Sequence, residues 1–322
     1  MIIVADIGGT NARFGVFDPA SNQLSHLQRL ACADFAGLKE AVAHYLALEK
    51  LNITALSACI AGPVHLDEIQ LTNNHWVFSK QDIFQHFNLE KLCIVNDFTA
   101  QALACPNLPD DALMTLRDGE GPIEAPILVI GPGTGLGVSA LVPVGDTLCP
   151  LETEGGHVAV APRSAEETTA LLHFHAHDFG MQEAEDFISG AGLTRLYGFA
   201  CYVGDISEEP LPAAEIVARA AEGDAIASAA VNLFFGFFGG IIADAVLTLG
   251  ARRAVYITGG MIPKMIQLID RSRFFERLSD QGVFSDYIGN VPIYLNTSDE
   301  AGLIGAGLAL SNRHLIHRQI TA

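Results

Sequence analysis

The order of apolar and polar positions predicts short buried strands that alternate with helices. Unbroken runs rich in β-branched residues predict strands at residues 2–4, 54–60, 92–95, 127–130 and 254–258. Apolar residues at helical spacing predict helices between them, for example over residues 35–48, where Leu38, Val42 and Leu46 share one face. The pattern is that of an α/β protein.

The first predicted strand is followed by a short polar stretch and a second strand that includes Phe14, Val16 and Phe17. This stretch begins at Asp6 and continues with Gly8, Gly9, Thr10, Asn11 and Arg13. Adjacent glycines allow close approach of a ligand, and their amides can bind an anion. A carboxylate at the end of the strand can hold hydrated Mg²⁺. An ordinary Gly-Gly hairpin is the alternative; Asp6 and the Thr-Asn-x-Arg run favour a phosphate site. Arg13 either meets a phosphate or pairs with an acid.

Residues 127–138 repeat this arrangement of strand, glycine turn and strand. Gly133 matches Gly8, Thr134 and Gly135 follow it, and Gly131 stands where the first copy has Asp6. The repeat predicts two related domains, each offering a glycine hairpin to one ligand. Its spacing fits neither the P-loop nor the dinucleotide fingerprint. Because only the first hairpin has a carboxylate, a metal is expected on the N-terminal side.

Two further groups of polar residues are candidates for catalysis or ligand binding. Asn96 and Asp97 follow a buried strand and precede a helix predicted over residues 98–104; open α/β sheets bind ligands at that edge. Asp97 there is either a general base or a helix N-cap, and the local sequence favours neither. Glu154 and His157 flank two glycines in a loop that can turn both side chains towards a polyhydroxylated ligand, with a purely structural loop as the alternative.

Other features have competing structural interpretations. The Gly259-Gly260 pair after a strand suits either an adenosine lying on the backbone or close packing.

A Ser164/Glu167 capping box predicts the start of a helix that carries His173, His175 and His177. His173 and His177 share one face of this helix, but no third ligand accompanies them, which argues against a zinc site. Trp76 is expected to anchor the core, Ser79 to cap a helix, and residues 106–126 to form a linker.

Composition excludes several classes of protein. Of the 322 residues, 50% are hydrophobic and 17% are charged, which excludes a disordered chain. The net charge of -19 and the lack of a basic run argue against nucleic acid or an anionic membrane as partner. Residues 225–243 are uncharged and long enough to span a membrane, but Asn232 and the flanking Asp224 and Asp244 favour a core helix. Six scattered cysteines predict buried free thiols in a reducing cytoplasm.

The chain carries a specific series of motifs along nearly its whole length. In order they read D-I-G-G-T-N-A-R, N-D-F, G-P-G-T-G-L-G, E-G-G-H, S-G-A-G-L, T-G-G and G-L-I-G-A-G. This series resembles the bacterial glucokinases, of the hexokinase-type branch of the actin/Hsp70/sugar-kinase superfamily. The resemblance implies a cytoplasmic homodimer with two ribonuclease-H-like (actin-like ATPase) domains, each a mixed sheet with helices, flanking a central cleft. These domains would be residues 1–107 plus 298–322, and residues 108–297.

The resemblance also implies an activity, which is ATP-dependent phosphorylation of D-glucose at its 6-hydroxyl, with Mg²⁺, at the entry to glycolysis. Asp97 would be the base, and the sugar hydroxyls would be held by Asn96, Asp97, Glu154, His157 and Glu185. The ATP phosphates would lie on Gly8, Gly9, Thr10, Asn11, Gly133, Thr134 and Gly135, the adenosine on Gly259 and Gly260, and Mg²⁺ would bind Asp6 through water.

The chain departs from the family pattern in two places. Glu152-Thr153 precede the E-G-G-H loop, where some members have Pro-Gly, and the segment around Glu185 matches loosely. The related repressor/kinase group usually carries a cysteine-rich zinc loop after its E-x-G-H motif. No such cluster follows His157, so no structural zinc is expected. A kinase for mannose, fructose or glucosamine, or a non-catalytic sugar- or nucleotide-sensing switch, is the alternative function. ADP or polyphosphate could replace ATP as the donor.

Overall fold

The computed structural model describes residues 1–71, 74–178, 182–207 and 209–322. The chain forms two compact units. The first comprises Met1–Ala112, Leu141–Glu152 and Ser298–Ala322, and the second comprises Leu113–Ala140 and Thr153–Thr297. Each unit contains a mixed sheet with helices, so the predicted α/β class is confirmed. The domain limits and roles implied by the resemblance stay a prediction.

The first unit is built on a six-stranded sheet with the order β14-β7-β4-β1-β2-β3. Strands β1, β4 and β7 are parallel, and β2, β3 and β14 join the sheet antiparallel. A separate hairpin pairs β5 with β6. The strands are β1 (Ile2–Ile7), β2 (Asn11–Asp18), β3 (Gln23–Ala31), β4 (Ala55–Ile60), β5 (Glu68–Gln70), β6 (Val77–Ser79), β7 (Lys91–Asn96) and β14 (Gln319–Thr321).

In its described residues, the first unit has four α-helices: α1 (Leu38–Glu49), α2 (Lys80–His86), α3 (Asp97–Ala104) and α12 (Ala301–Ser311). The α12 helix is almost entirely buried and packs on β1, β4, β7 and α3, because its small residues allow close approach. Trp76 is fully buried, and its Nε1 donates to the carbonyl oxygens of Cys32 and Phe35, so its predicted core role is confirmed. Ser79 caps α2, also as predicted.

The second sheet has the order β11-β10-β9-β12-β13-β8. Strands β9, β12 and β13 are parallel, and β8 is antiparallel to β13. The strands are β8 (Leu113–Arg117), β9 (Ile127–Pro132), β10 (Leu136–Val144), β11 (Thr147–Glu152), β12 (Ala254–Ile257) and β13 (Ile293–Asn296). The chain changes units within β10, whose last four residues and β11 group with the first unit.

The helices of the second unit surround a core rich in phenylalanine. The longest helix meets the length and composition expected of a membrane span, but 67% of its most apolar window is buried, as in a core helix. The helices are α4 (Ala165–Asp178), α5 (Ala184–Phe187), α6 (Gly190–Val203), α7 (Ala213–Ala221), α8 (Ala225–Leu249), α9 (Ile262–Met265), α10 (Phe274–Ser279) and α11 (Ser285–Gly289).

The structure corrects two expectations about elements. The predicted linker at residues 106–126 is wrong, because it contains β8, an edge strand whose partner β13 lies far along the chain. The α1 helix begins at Leu38 rather than at residue 35, since Phe35 is extended. The cysteines are free thiols, all buried except Cys149, which is half-buried.

The predicted capping box at α4 forms only in part. Ser164 Oγ accepts from the Glu167 amide (3.0 Å), but Glu167 turns to the Arg163 amide (2.7 Å) and to Arg277. On the same helix, His173 lies against the rings of Phe199 and Tyr202. The side chain of His177 lies outside the described part of the chain, as do residues 72 and 73.

The Glu167–Arg277 ion pair is expected to be a main determinant of the second unit's stability. Arg277 Nε donates to Glu167 Oε1 (2.6 Å), and the two side chains are 3% and 0% exposed. Glu167→Gln leaves a buried guanidinium uncompensated, so the free energy of unfolding should fall by about 3–5 kcal/mol. Urea denaturation followed by circular dichroism measures this.

The matched control is Glu276→Gln, which removes the exposed pair with Arg273. We expect that variant to lose at most about 1 kcal/mol. Equal losses in the two variants would show that burial does not set the strength of the Glu167–Arg277 pair.

Candidate functional site

One group of candidate residues lies where the parallel strands of the first sheet end. The register aligns Ile7 of β1 with Ile60 of β4, and Ile60 with Asn96 of β7. The glycine turn after β1 and the Asn96-Asp97 pair at the end of β7 therefore lie at the same edge of the sheet. Asn96 Nδ2 donates to the Gly62 carbonyl oxygen (3.4 Å), at the end of the strand between them.

Asp97 is the first residue of α3, and Asn96 is its N-cap. Asn96 Oδ1 accepts from the Phe98 amide at 2.9 Å, and Asp97 Oδ1 accepts from the same amide at 2.9 Å. The interpretation of Asp97 as the N-cap is therefore wrong, because Asn96 occupies that position. Both side chains are half-buried, which leaves them accessible at the sheet edge.

Asp6 lies between Arg13 of β2 and Cys59 of β4 in the strand register. Arg13 Nη1 is 3.6 Å from Asp6 Oδ2 and donates to the Asp299 carbonyl oxygen, so of the two predicted roles for Arg13 the pairing with an acid is observed. The Cys59 thiol donates to Asp6 Oδ1 (3.5 Å). Desolvation raises the pKa of Asp6, while the Arg13 charge and the Cys59 hydrogen bond oppose that rise.

In each glycine turn, the amide of the leading glycine donates to a carbonyl oxygen further along the turn. The Gly8 amide donates to the Asn11 carbonyl oxygen (3.0 Å), and the Gly133 amide donates to the Gly135 carbonyl oxygen (2.8 Å). The amides of both leading glycines are thus used within their turns. Thr10 and Thr134, at the tips of these turns, are exposed. The two turns therefore share closure by the leading glycine, but the first hydrogen bond spans one residue more than the second.

A separate group of candidate residues lies at the carboxyl ends of the parallel strands of the second sheet. Ile130 of β9 is aligned with Ile257 of β12, so the Gly133–Gly135 turn and the Gly259-Gly260 pair emerge side by side. The Thr258 amide donates to the Ile130 carbonyl oxygen (2.9 Å). Gly259 has φ +87°, a left-handed conformation that favours glycine. The alternative of close packing also applies, since an added Cβ would lie 2.7 Å from the Pro132 carbonyl oxygen.

Glu185 is attached directly to the second glycine turn. Its Oε2 accepts from the Leu136 amide (2.8 Å), and a Cβ added to Gly135 would overlap its carboxylate. The start of α6 holds the other side of the turn, where the Gly190 amide donates to the Gly133 carbonyl oxygen (3.0 Å). The S-G-A-G-L motif therefore positions this turn.

The E-G-G-H loop forms a 3₁₀ turn over Gly155–His157, preceded by an exposed Glu154. His157 Nδ1 is 2.7 Å from Glu183 Oε2, and this hydrogen bond is the main cause of a raised His157 pKa. Attraction by Glu185, Glu183 and Glu154 adds to the rise in the His157 pKa. Glu183 was missed in the sequence, where it is one of three acids within four residues.

Comparison with known proteins agrees with this arrangement. A family model described as Glucokinase matches residues 3–313. The chain belongs to the glucokinase family. A glucokinase of Hahella chejuensis is 40% identical over 315 residues, which are 97% of this chain and 98% of that protein.

Solved structures extend the glucokinase comparison to the fold. The crystal structure of a glucokinase from an Antarctic psychrotroph superimposes with a TM-score of 0.87 at 35% identity, covering 96% of this chain and 98% of that one. A glucokinase of the ROK family from Streptomyces griseus, in complex with glucose and AMPPNP, has a TM-score of 0.64 at 20% identity and covers 95% and 97%. The chain therefore has the two-domain, actin-like fold of these kinases.

The contact between Gly135 and Glu185 predicts that Gly135→Ala destabilises the second unit. The new methyl group would displace the Glu185 carboxylate from the Leu136 amide, at a cost of about 1–3 kcal/mol in unfolding free energy. Urea denaturation tests this. Gly198→Ala in α6 is the control, since no atom lies within 4 Å of its added Cβ and the helix should gain about 0.5–1 kcal/mol. Unchanged stability of Gly135→Ala would refute the tight contact.

Proposed function

We infer that this chain transfers the γ-phosphoryl group of ATP to the 6-hydroxyl of D-glucose, giving glucose 6-phosphate at the entry to glycolysis. The observation that carries this inference is the family match across residues 3–313, which includes every candidate site residue. The Streptomyces griseus kinase binds glucose and AMPPNP on the same fold, which supports the choice of ATP as donor.

Asp97 is the proposed catalytic base. It follows β7 at the edge that also holds the first glycine turn, and Asn96 already caps α3. As the bond from the sugar O6 to the γ-phosphorus forms, the bond from that phosphorus to the bridging oxygen of ADP breaks. The Asp97 carboxylate accepts the proton of the 6-hydroxyl in that step. Phosphoryl transfer depends mainly on such positioning and on charge neutralisation.

Asn96, Glu154, His157 and Glu185 are the proposed partners of the other sugar hydroxyls. A carboxylate accepts hydrogen bonds and an imidazolium donates them, so this set can satisfy both the hydrogen and the oxygen of a hydroxyl. Glu185 has a second role, because Oε1 can accept a hydroxyl while Oε2 keeps its bond to the Leu136 amide. Sugar binding would thereby fix the turn that binds phosphate.

The ATP phosphates are proposed to lie on the two glycine turns, and the adenosine on Gly259 and Gly260. Gly8 and Gly133 shape their turns through their own amides, so the phosphate donors are those that follow. These are Gly9, Thr10 and Asn11 in the first turn and Thr134 and Gly135 in the second. No atom lies within 4 Å of a Cβ added to Gly260, which leaves space for a ligand.

Asp6 is the proposed ligand of Mg²⁺, through water. One carboxylate with 23% of its side chain exposed fits a cation that keeps most of its waters and also binds phosphate oxygens. The raised pKa of Asp6 shows that burial disfavours its charge, and a bound cation would compensate for this. When bound, the ion neutralises charge on the phosphates.

A cytoplasmic homodimer without nucleic-acid or membrane partners completes the proposal. The charge of -19 argues against a nucleic-acid partner and the burial of α8 argues against a membrane span. The dimer and the compartment rest on the family resemblance. Light scattering coupled to size exclusion would measure the oligomeric state.

If Asp97 is the base, its replacement should abolish most of the turnover but leave sugar binding intact. Asp97→Ala should lower kcat by about 10²–10⁴, the contribution of a general base. Glucose binding measured by calorimetry should persist, because the remaining hydroxyl partners are intact. The exposed Asp111→Ala is the control and should keep full activity. Near-wild-type turnover of Asp97→Ala would rule out this base.

The substrate is tested by ADP release with Mg²⁺ and a panel of sugars. We expect the highest kcat/KM with glucose, weaker rates with mannose, fructose and glucosamine, and no release without sugar. A preference for another hexose would change the substrate, and ADP release without sugar phosphate would indicate a nucleotide switch. Replacing ATP by ADP or polyphosphate tests the donor.

A further inference from the structure

Glu183 forms a contact with the proposed sugar-binding loop that the candidate site does not include. Its Oε2 lies 2.7 Å from His157 Nδ1, while 52% of the His157 side chain stays exposed. A carboxylate only accepts hydrogen bonds, so Nδ1 carries the hydrogen in this pair. The other ring nitrogen, Nε2, is then the atom available to a ligand.

The backbone fixes Glu183 opposite the loop. The Ala184 amide donates to the Val158 carbonyl oxygen (2.9 Å), and the Val160 amide donates to the Gln182 carbonyl oxygen (3.2 Å). An isolated bridge pairs Ala159 with Glu183. The segments before α5 and after His157 thus form a short antiparallel ladder, which holds the carboxylate and the imidazole in register.

The Glu183 side chain is also held by the start of α5. Glu183 is the N-cap of α5 in a capping box, in which its amide donates to Asp186 Oδ2 (3.0 Å) and its side chain accepts from the Asp186 amide. Asp186 in turn binds Arg195 of α6 (2.6 Å). A carboxylate anchored in this way restricts the rotation of the imidazole more than a free surface side chain would.

We propose that Glu183 is a positioning residue, whose carboxylate holds His157 so that Nε2 points to the substrate and donates a hydrogen bond to a sugar hydroxyl oxygen. This rests on the proposed binding of glucose by His157. Glu183 does not touch the sugar in this scheme. It orients the imidazole and favours the imidazolium form, in which both ring nitrogens donate.

The proposal gives a pH dependence with a defined sign. Glu183 raises the His157 pKa through the hydrogen bond, and Glu185 and Glu154 act in the same direction by charge. In Glu183→Gln the His157 pKa should fall, although the two other acids remain. At a pH below the His157 pKa of both the wild type and Glu183→Gln, the imidazole is charged in both proteins. As the pH rises through the lowered pKa, only the variant loses its Nε2 donor.

The test combines kinetics with a titration that needs no substrate. Glu183→Gln should raise KM for glucose by about 2- to 10-fold, the value of one hydrogen bond, and change kcat little. The ratio of variant to wild-type KM should grow as the pH rises through the variant's His157 pKa. NMR of histidine-labelled protein without sugar, with the His157 signal assigned from His157→Gln, should show the lowered pKa directly.

Two control variants separate positioning from stability. Asp186→Asn removes the charge that pairs with Arg195 but keeps an oxygen that can accept from the Glu183 amide, as well as the backbone amide that donates to the Glu183 side chain. The Glu183–His157 bond is left in place, so KM and the His157 pKa should stay at wild-type values. Glu49→Gln removes a similar histidine–carboxylate pair, with His26 at 2.8 Å, outside the proposed site and should leave KM unchanged. Equal KM changes in Glu183→Gln and Asp186→Asn would overturn the proposal.

The remaining outcomes are also decisive. An unshifted His157 pKa in Glu183→Gln would overturn the positioning contact, and a shifted pKa with unchanged KM would overturn its role in sugar binding. Failure of the wild-type protein to release ADP with glucose would refute the proposed function instead. The NMR titration would still report on the Glu183 contact in that case.

Discussion

The parallel alignment of strands within each sheet is the constraint on which the candidate site depends. Strands β1, β4 and β7 are almost completely buried, as are β9 and β12, so their interiors exclude unpaired polar groups. Polar side chains and ligand-accessible amides are therefore confined to the strand ends. Because parallel strands end at the same edge, residues distant in sequence, such as Gly8 and Asp97, are brought to one place.

This constraint explains how much of the fold and site was predictable. Central strands are continuous apolar runs, so both they and the motifs following them could be predicted from local sequence, and their register then placed the motifs together. Strands β8, β11 and β14 were missed because they lie at sheet edges, where burial is partial and the apolar pattern is weak. Their positions depend on partners far along the chain, which no local pattern reveals.

The side-chain partners were less predictable than the motifs. Arg13 pairs with Asp6 because strand register places them opposite each other, and Glu183 meets His157 because two segments 26 residues apart form a ladder. Asp97 left two interpretations open in the sequence. The structure removes the N-cap interpretation, because Asn96 occupies the cap and leaves Asp97 inside the first turn of the helix. The role of Asp97 as the base stays a proposal.

The two glycine turns differ in the charged side chains that lie near them. In the first, Asp6 is offset by Arg13, so the turn carries one acid and one base close together. In the second, residues 131–137 contain no ionisable side chain, and the nearby Glu185 is bound to the Leu136 amide. A side chain at Gly131 would overlap the Thr258 carbonyl oxygen, so a carboxylate matching Asp6 has no room there. The asymmetry expected for a metal site thus follows from packing between β9 and β12.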